Sequence, residues 1–237
     1  MSGDWVIGFD YPGQGKTSGS GLNSAKFSDL SEIAKVVLDS YVLSDEPVSL
    51  LGWSTGGLLA VRIAQERFNP QSGFSSFSNR KIEGLMLIAP GVAVYPLVGD
   101  FGVVTAKSLS RSDDFSGSIS PKSPLLFPLF SGGLLANSLK AQNQGLPAGL
   151  PVLTFVAGDK SDKYANTVQI KRWLSSDDNS SSRRLSYQCA SGYHALHHEP
   201  EGISQQLTSA ISLFLEKVRQ QSSSGQWTPV EGPCRRF

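Results

Sequence analysis

At 237 residues, 39% of them hydrophobic, the chain is long enough for one sizeable core, as a single domain or a domain with one insertion. Its 21 basic and 20 acidic residues leave a formal charge of +1, and no basic stripe gathers them, so nucleic acid and acidic surfaces are excluded as partners. The opening Met1-Ser-Gly-Asp-Trp5 is neither basic nor apolar, and no run of about 18 apolar residues occurs; a soluble, unexported, cytoplasmic chain with no transmembrane segment is expected.

Trp5-Val-Ile-Gly-Phe-Asp10 reads as a buried strand, followed by the glycine-rich loop Tyr11 to Gly21. Gly13-x-Gly15-Lys16-Thr17 has the end of a phosphate loop, but Asp10 stands where that motif needs its first glycine and no helix follows at once, so nucleotide binding is rejected. With Asn23 or Ser24 as cap, Phe27, Leu30, Ala34, Val37 and Tyr41 recur at helical spacing and predict one amphipathic helix from about 25 to 43. Pro47 then leads into a central strand, Val48 to Gly52, which runs into Gly52-Trp53-Ser54-Thr55-Gly56 and a helix reaching about Arg67.

A polar loop from Asn69 to Arg80 precedes a buried strand, Ile82 to Ile88. The stretch from Ala89-Pro90-Gly91 to about Gly149 reads as irregular and holds the apolar run Pro124 to Phe130; its length marks residues 92–149 as an insertion of lid type. Pro151 to Ala157 is the next strand, Ala165 to Leu174 a helix, and Arg184 to Ala190 the last strand. Ile203, Leu207, Ile211, Phe214 and Val218 mark a terminal helix. Two cysteines, Cys189 and Cys234, are too few for a disulfide framework and are expected as free thiols. Residues 1–220 thus form the core, and 221–237 a polar tail expected to be disordered. Strands alternating with helices predict an α/β fold, a mostly parallel sheet with helices on both faces and its site at the carboxyl ends of the strands.

Three residues at those ends carry chemistry. In G-x-S-x-G, glycines Gly52 and Gly56 let strand and helix pass closely while Ser54 sits on a strained turn, exposed to a substrate. The turn opens a helix, so the N–H of Thr55 can face a developing oxyanion. A serine needs a base, and the three histidines all lie in Ser191-Gly-Tyr-His-Ala-Leu-His-His-Glu199. His194, first after the strand, is the expected base, with His197 and His198 as surface or supporting residues. Metal binding by His194 and His198 is set aside for want of a third strong ligand. The carboxylate that orients the base should follow the Pro151 strand, where Asp159 and Asp162 compete; the reach to the histidine loop favours Asp162, which also suits a helix N-cap.

Together these residues resemble the α/β-hydrolase superfamily, and within it the monoacylglycerol lipase, lysophospholipase and serine-aminopeptidase-like branch. The stretches that carry the likeness are Phe9-Asp-Tyr-Pro-Gly-Gln-Gly-Lys-Thr-Ser18, similar to D-x-x-G-x-G-x-S, then Gly52 to Gly57, Gly158 to Asp162, and Gly192 to Glu199. The family usually spaces its acid G-x-x-D, whereas Gly158 and Asp162 lie one residue further apart, which keeps Asp159 in contention. The resemblance implies a serine hydrolase of carboxylic esters, with an acylglycerol or lysophospholipid-like substrate, no cofactor and no metal. Transient contact with a membrane surface is compatible with it; oligomeric state is not set by the sequence. Peptidase and thioesterase activity share the same triad.

The likeness also implies that three strands of the family, and the His-Gly turn after the third, precede the point where this sequence starts. Val48 to Gly52 is then expected to pair directly with Val6 to Asp10 or to leave ladder groups unpaired. An oxyanion hole with Thr55 alone, impaired turnover and association through an open edge are expected with it, and a catalytically inert form of the same fold is the competing reading.

Overall fold

The computed structural model describes residues 5–13, 15–19, 25–95, 111, 128–176, 179, 183–200, 202–220, 227 and 229–237. Among them, helix α1 (Asp29–Asp39) precedes strand β1 (Val48–Trp53), helix α2 (Thr55–Glu66) and strand β2 (Ile82–Ile88). Helix α3 (Pro128–Gln142), strand β3 (Pro151–Val156), helix α4 (Thr167–Leu174), strand β4 (Arg183–Gln188), helix α5 (Ile203–Arg219) and the short strand β5 (Arg235–Arg236) complete the order. The sheet runs β1-β2-β3-β4-β5, with β1 to β4 parallel and β5 antiparallel on β4. This is the expected α/β architecture.

Period-two alternation builds a core on each face of the sheet. Leu85, Leu87, Val152 and Val156 point to one side, against Leu58, Val61 and Ile63 of α2 and Ile170 and Trp173 of α4. Met86, Ile88, Leu153, Phe155, Leu185 and Tyr187 point to the other, against Leu207, Ala210 and Phe214 of α5. Both faces of β2 and β3 are thus buried, which is why those strands read as nearly continuous apolar runs.

Several expectations change. Trp5 to Asp10 is not a strand and joins no ladder; Trp5 and Val6 are exposed. Val48–Trp53 is accordingly the edge of the sheet among the described residues, not its centre, and Leu51 is exposed there. An apolar run becomes a strand only where a neighbour takes its N–H and C=O groups, and residues 5–10 instead serve the loop after them: the Asp10 carboxylate accepts from Lys16 N and its carbonyl from Thr17 Oγ1.

Helix α1 is shorter than expected and stops at Asp39, where Arg80 donates to the Val42 and Leu43 carbonyls and leaves Tyr41 exposed. The proposed caps Asn23 and Ser24 lie outside the described residues.

Within the insertion, residues 96–110 and 112–127, including most of the apolar run, also lie outside them. The later part of the insertion is regular: Pro128–Gln142 is helical, with Phe130 in the core beside Phe27 and Ser138 Oγ donating to the Val92 carbonyl at 2.6 Å. Buried Arg62 of α2 ties this helix down, pairing with Glu66 and donating Nε to Asn137 Oδ1 at 3.3 Å; a buried cation is tolerated when its donors are met in this way.

The tail is packed where it is described, and the cysteines are joined. Cys189, just past β4, bonds to Cys234, just before β5. Gln206 holds the returning chain by accepting from Cys234 N at 2.7 Å and donating to the carbonyls of Val230 at 2.8 Å and Cys234 at 3.0 Å. Val230 N donates to Tyr187 Oη, and Trp227 stacks on Phe214. Spacing gives no sign of this pairing because 45 residues separate the two cysteines, and only the turn of the chain back onto β4 brings them together.

Candidate active site

Ser54 occupies the turn between β1 and α2 with φ 53° and ψ −116°, a region that side chains avoid and that clusters at functional sites. The surroundings enforce it. Ser54 N donates to the Ile88 carbonyl at 3.0 Å, and the Ser54 carbonyl accepts from Leu58 N at 3.1 Å and Gly91 N at 2.8 Å. A second strained residue, Ala89 at φ 41°, ends the adjacent strand and donates its N–H to Phe155 O at 2.8 Å.

The glycines divide differently from the motif. A Cβ on Gly52 would stand 2.3 Å from Gly56 O, so strand and helix meet there without room for a side chain. On Gly56 it would meet nothing nearer than Tyr11 Oη at 3.5 Å. The second close approach is at Gly57, whose Cβ would lie 2.9 Å from Pro90 Cβ. The motif does not single out Gly57, because it ends one residue earlier. Thr55 opens α2, so its N–H is among the helix donors that have no partner in a preceding turn.

His194 and Asp162 complete a hydrogen-bonded line. His194 Nε2 lies 2.7 Å from Ser54 Oγ, and His194 Nδ1 lies 2.9 Å from Asp162 Oδ2. The His194 and Asp162 side chains are both buried. Asp162 does not cap α4, which Asn166 does by accepting from Gln169 N; its Oδ1 instead accepts from Tyr164 N and Ala165 N, each at 2.9 Å. Both oxygens are thereby committed, one to shaping its own loop and one to the imidazole. Asp159 is drawn elsewhere, accepting from Lys171 Nζ and Gln188 Nε2.

Two loops clasp each other to hold this line. Gly158 N and Ser161 Oγ both donate to the Gly192 carbonyl, at 3.0 and 2.7 Å. A Cβ on Gly158 would lie 2.2 Å from Ala190 O, so this approach requires glycine. Trp53, beside the serine, donates Nε1 to the His194 carbonyl at 3.0 Å and packs edge-on against His197. Burial, with His198 and His194 adding to it, pushes the His197 pKa down to about 4, so His197 is a neutral prop. Sequence reasoning missed Glu199: its buried carboxylate accepts from both N and Nε of Arg111 at 2.9 Å, joining the histidine loop to the insertion. No motif pairs those two positions.

Among the described residues no group of three or more His, Cys, Asp or Glu side chains could hold a metal, and no helix is long and apolar enough to cross a membrane.

An elbow of this kind at the carboxyl end of a parallel strand, with an imidazole and a carboxylate in line behind its serine, belongs to α/β proteins of the hydrolase type. The sequence places the chain within it by descent: residues 2–205 match the model of the alpha/beta hydrolase family, and the chain is a member of that family. Solved structures share the fold at low identity. A monoacylglycerol lipase from Paleococcus ferrophilus is 20% identical, with a TM-score of 0.60, over 88% of this chain and 82% of that one. A soluble variant of the monoglyceride lipase of Saccharomyces cerevisiae, in complex with a substrate analogue, is 16% identical at a TM-score of 0.60, over 87% and 75%. A putative hydrolase from Agrobacterium vitis is 22% identical at 0.57, over 86% and 74%. No curated protein sequence matches the chain.

Proposed function

We propose that this protein is a serine hydrolase of carboxylic esters that works through an acyl-enzyme, with Ser54 as nucleophile, His194 as base and then acid, and Asp162 as the carboxylate that orients the imidazole. The observation that carries the reading is the 2.7 Å contact of Ser54 Oγ with His194 Nε2. With its proton on Nδ1, His194 donates to Asp162 Oδ2, and Nε2 is left as acceptor for the serine proton. Ser54 Oγ then bonds to the ester carbonyl carbon, and the carbonyl oxygen takes the negative charge and faces the Thr55 N–H. Collapse expels the alcohol, which receives the proton from His194 Nε2. A water activated by the same nitrogen releases the acid and restores Ser54.

The acylglycerol or lysophospholipid-like substrate is supported by the fold shared with two monoacylglycerol lipases and by the apolar run Pro124 to Phe130 in the insertion. A nucleophile that is serine and not aspartate favours ester cleavage over the halide and epoxide chemistry of the fold. Labelling of the purified chain with a fluorophosphonate, with the modified peptide located by mass spectrometry, tests the reading. Ser54 should carry the label, and an unlabelled Ser54 would leave the inert form of the fold.

A further inference from the structure

The Thr55 N–H is proposed above to face the oxyanion, and the Tyr11 hydroxyl lies against the same first turn of α2. We propose, on the Ser54 reading above, that the hydroxyl of Tyr11 is a catalytic hydrogen-bond donor to the oxyanion, acting together with the Thr55 N–H.

Three observations carry it. The first is position. A Cβ built on Gly56 would stand 3.5 Å from Tyr11 Oη, so the hydroxyl lies against the first turn of α2, one residue past Thr55. Gly56 is two residues past Ser54 in the first turn of α2, so the hydroxyl stands at the end of the helix that opens on the nucleophile. The second is its bonding. The hydroxyl donates to no acceptor among the described residues, although the Tyr11 ring is half-buried against the apolar cluster that includes α2 and stands edge-on to Phe9 at 5.7 Å. A donor free of any acceptor among the described residues, at the first turn of the helix that follows the nucleophile, is available to a negative charge that develops there.

The third is its support. Tyr11 opens a loop closed on both sides, with Asp10 accepting from Lys16 N at 3.1 Å and Thr17 Oγ1 at 2.9 Å, and Gly13 N donating to the Ser18 carbonyl at 3.4 Å. A donor counts in catalysis when it is held in place before the charge develops, and this loop does that. Burial raises the Tyr11 pKa to about 12, so the phenol keeps its proton throughout the neutral range.

The test is Tyr11→Phe in the full chain, which keeps the ring and removes only the hydroxyl. With a short-chain acyl ester, kcat should fall about a hundredfold to a thousandfold, the usual loss for one such donor, while KM stays within about twofold. Affinity for an alkylboronic acid, which becomes tetrahedral on Ser54, should fall in parallel, and affinity for the product carboxylate should not. Turnover and boronate affinity within about threefold of the parent would overturn the assignment, as would a Tyr11→Phe chain that has lost its thermal unfolding transition, since the hydroxyl would then serve the fold. Absence of Ser54-dependent turnover in the parent chain is a different result; it would remove the hydrolase reading itself.

Discussion

Asp162 Oδ2 stands 2.9 Å from His194 Nδ1, with both side chains buried, while Asp159 is tied to Lys171 and Gln188. The two aspartates, three residues apart, therefore separate by experiment. Asp162→Asn puts an amide where the imidazole needs an acceptor, and turnover should fall by about four orders of magnitude. Asp159→Asn should cost less than about tenfold. Steady-state turnover of one ester by both variants decides, and the reverse ranking would move the orienting role to Asp159.

His197 sets a pH limit on the fold. Its folded pKa of about 4 lies below the ordinary value of 6.5, so the unfolded chain binds the proton more readily than the folded one. The stability it contributes is complete above about pH 6.5 and is lost as pH falls toward 4. Urea unfolding at pH 7 and pH 4.5 should show this loss, and His197→Gln, which cannot take the proton, should show a shallower one. An equal slope in both chains would remove His197 as the cause.

The Cys189–Cys234 bond spans 45 residues, a loop whose closure is worth about 2 to 4 kcal/mol. Cys234→Ala should lower the melting temperature by several degrees, and addition of a dithiol to the parent chain should reproduce that shift. A melting curve indifferent to both would mean that Gln206 and Tyr187 hold the returning chain unaided.

The elbow makes opposite forecasts for two glycines of one motif. Gly52→Ala sets a Cβ 2.3 Å from a backbone oxygen, which no rotamer relieves, and should cost about 3 kcal/mol or more. Gly56→Ala meets only Tyr11 Oη at 3.5 Å and should fold normally. Denaturant midpoints of the two proteins check this contrast.

What the sequence shows most clearly is what local chemistry decides. Ser54 is legible because the turn that strains it needs a recognisable glycine, and His194 because the histidines gather after a single strand. Asp162 is favoured over Asp159 in the sequence only by its reach to the histidine loop, because the partners that draw Asp159 away, Lys171 and Gln188, come from other elements. The same limit hides the disulfide and the Arg111–Glu199 pair, whose partners lie 45 and 88 residues apart. Trp5 to Asp10 misleads for another reason. Its apolar run matches a strand, but strand formation depends on a neighbouring ladder that periodicity does not report.

The central claim is that Ser54 is an activated nucleophile, and the most direct measurement is its own reactivity. Hydrolysis of a short-chain acyl ester should be measured for the parent chain and for Ser54→Ala, with fluorophosphonate labelling of each. The account requires turnover in the parent, rates at the buffer blank in Ser54→Ala with its melting curve unchanged, and label on Ser54 alone. Turnover that survives in Ser54→Ala, or label on another residue, would contradict it.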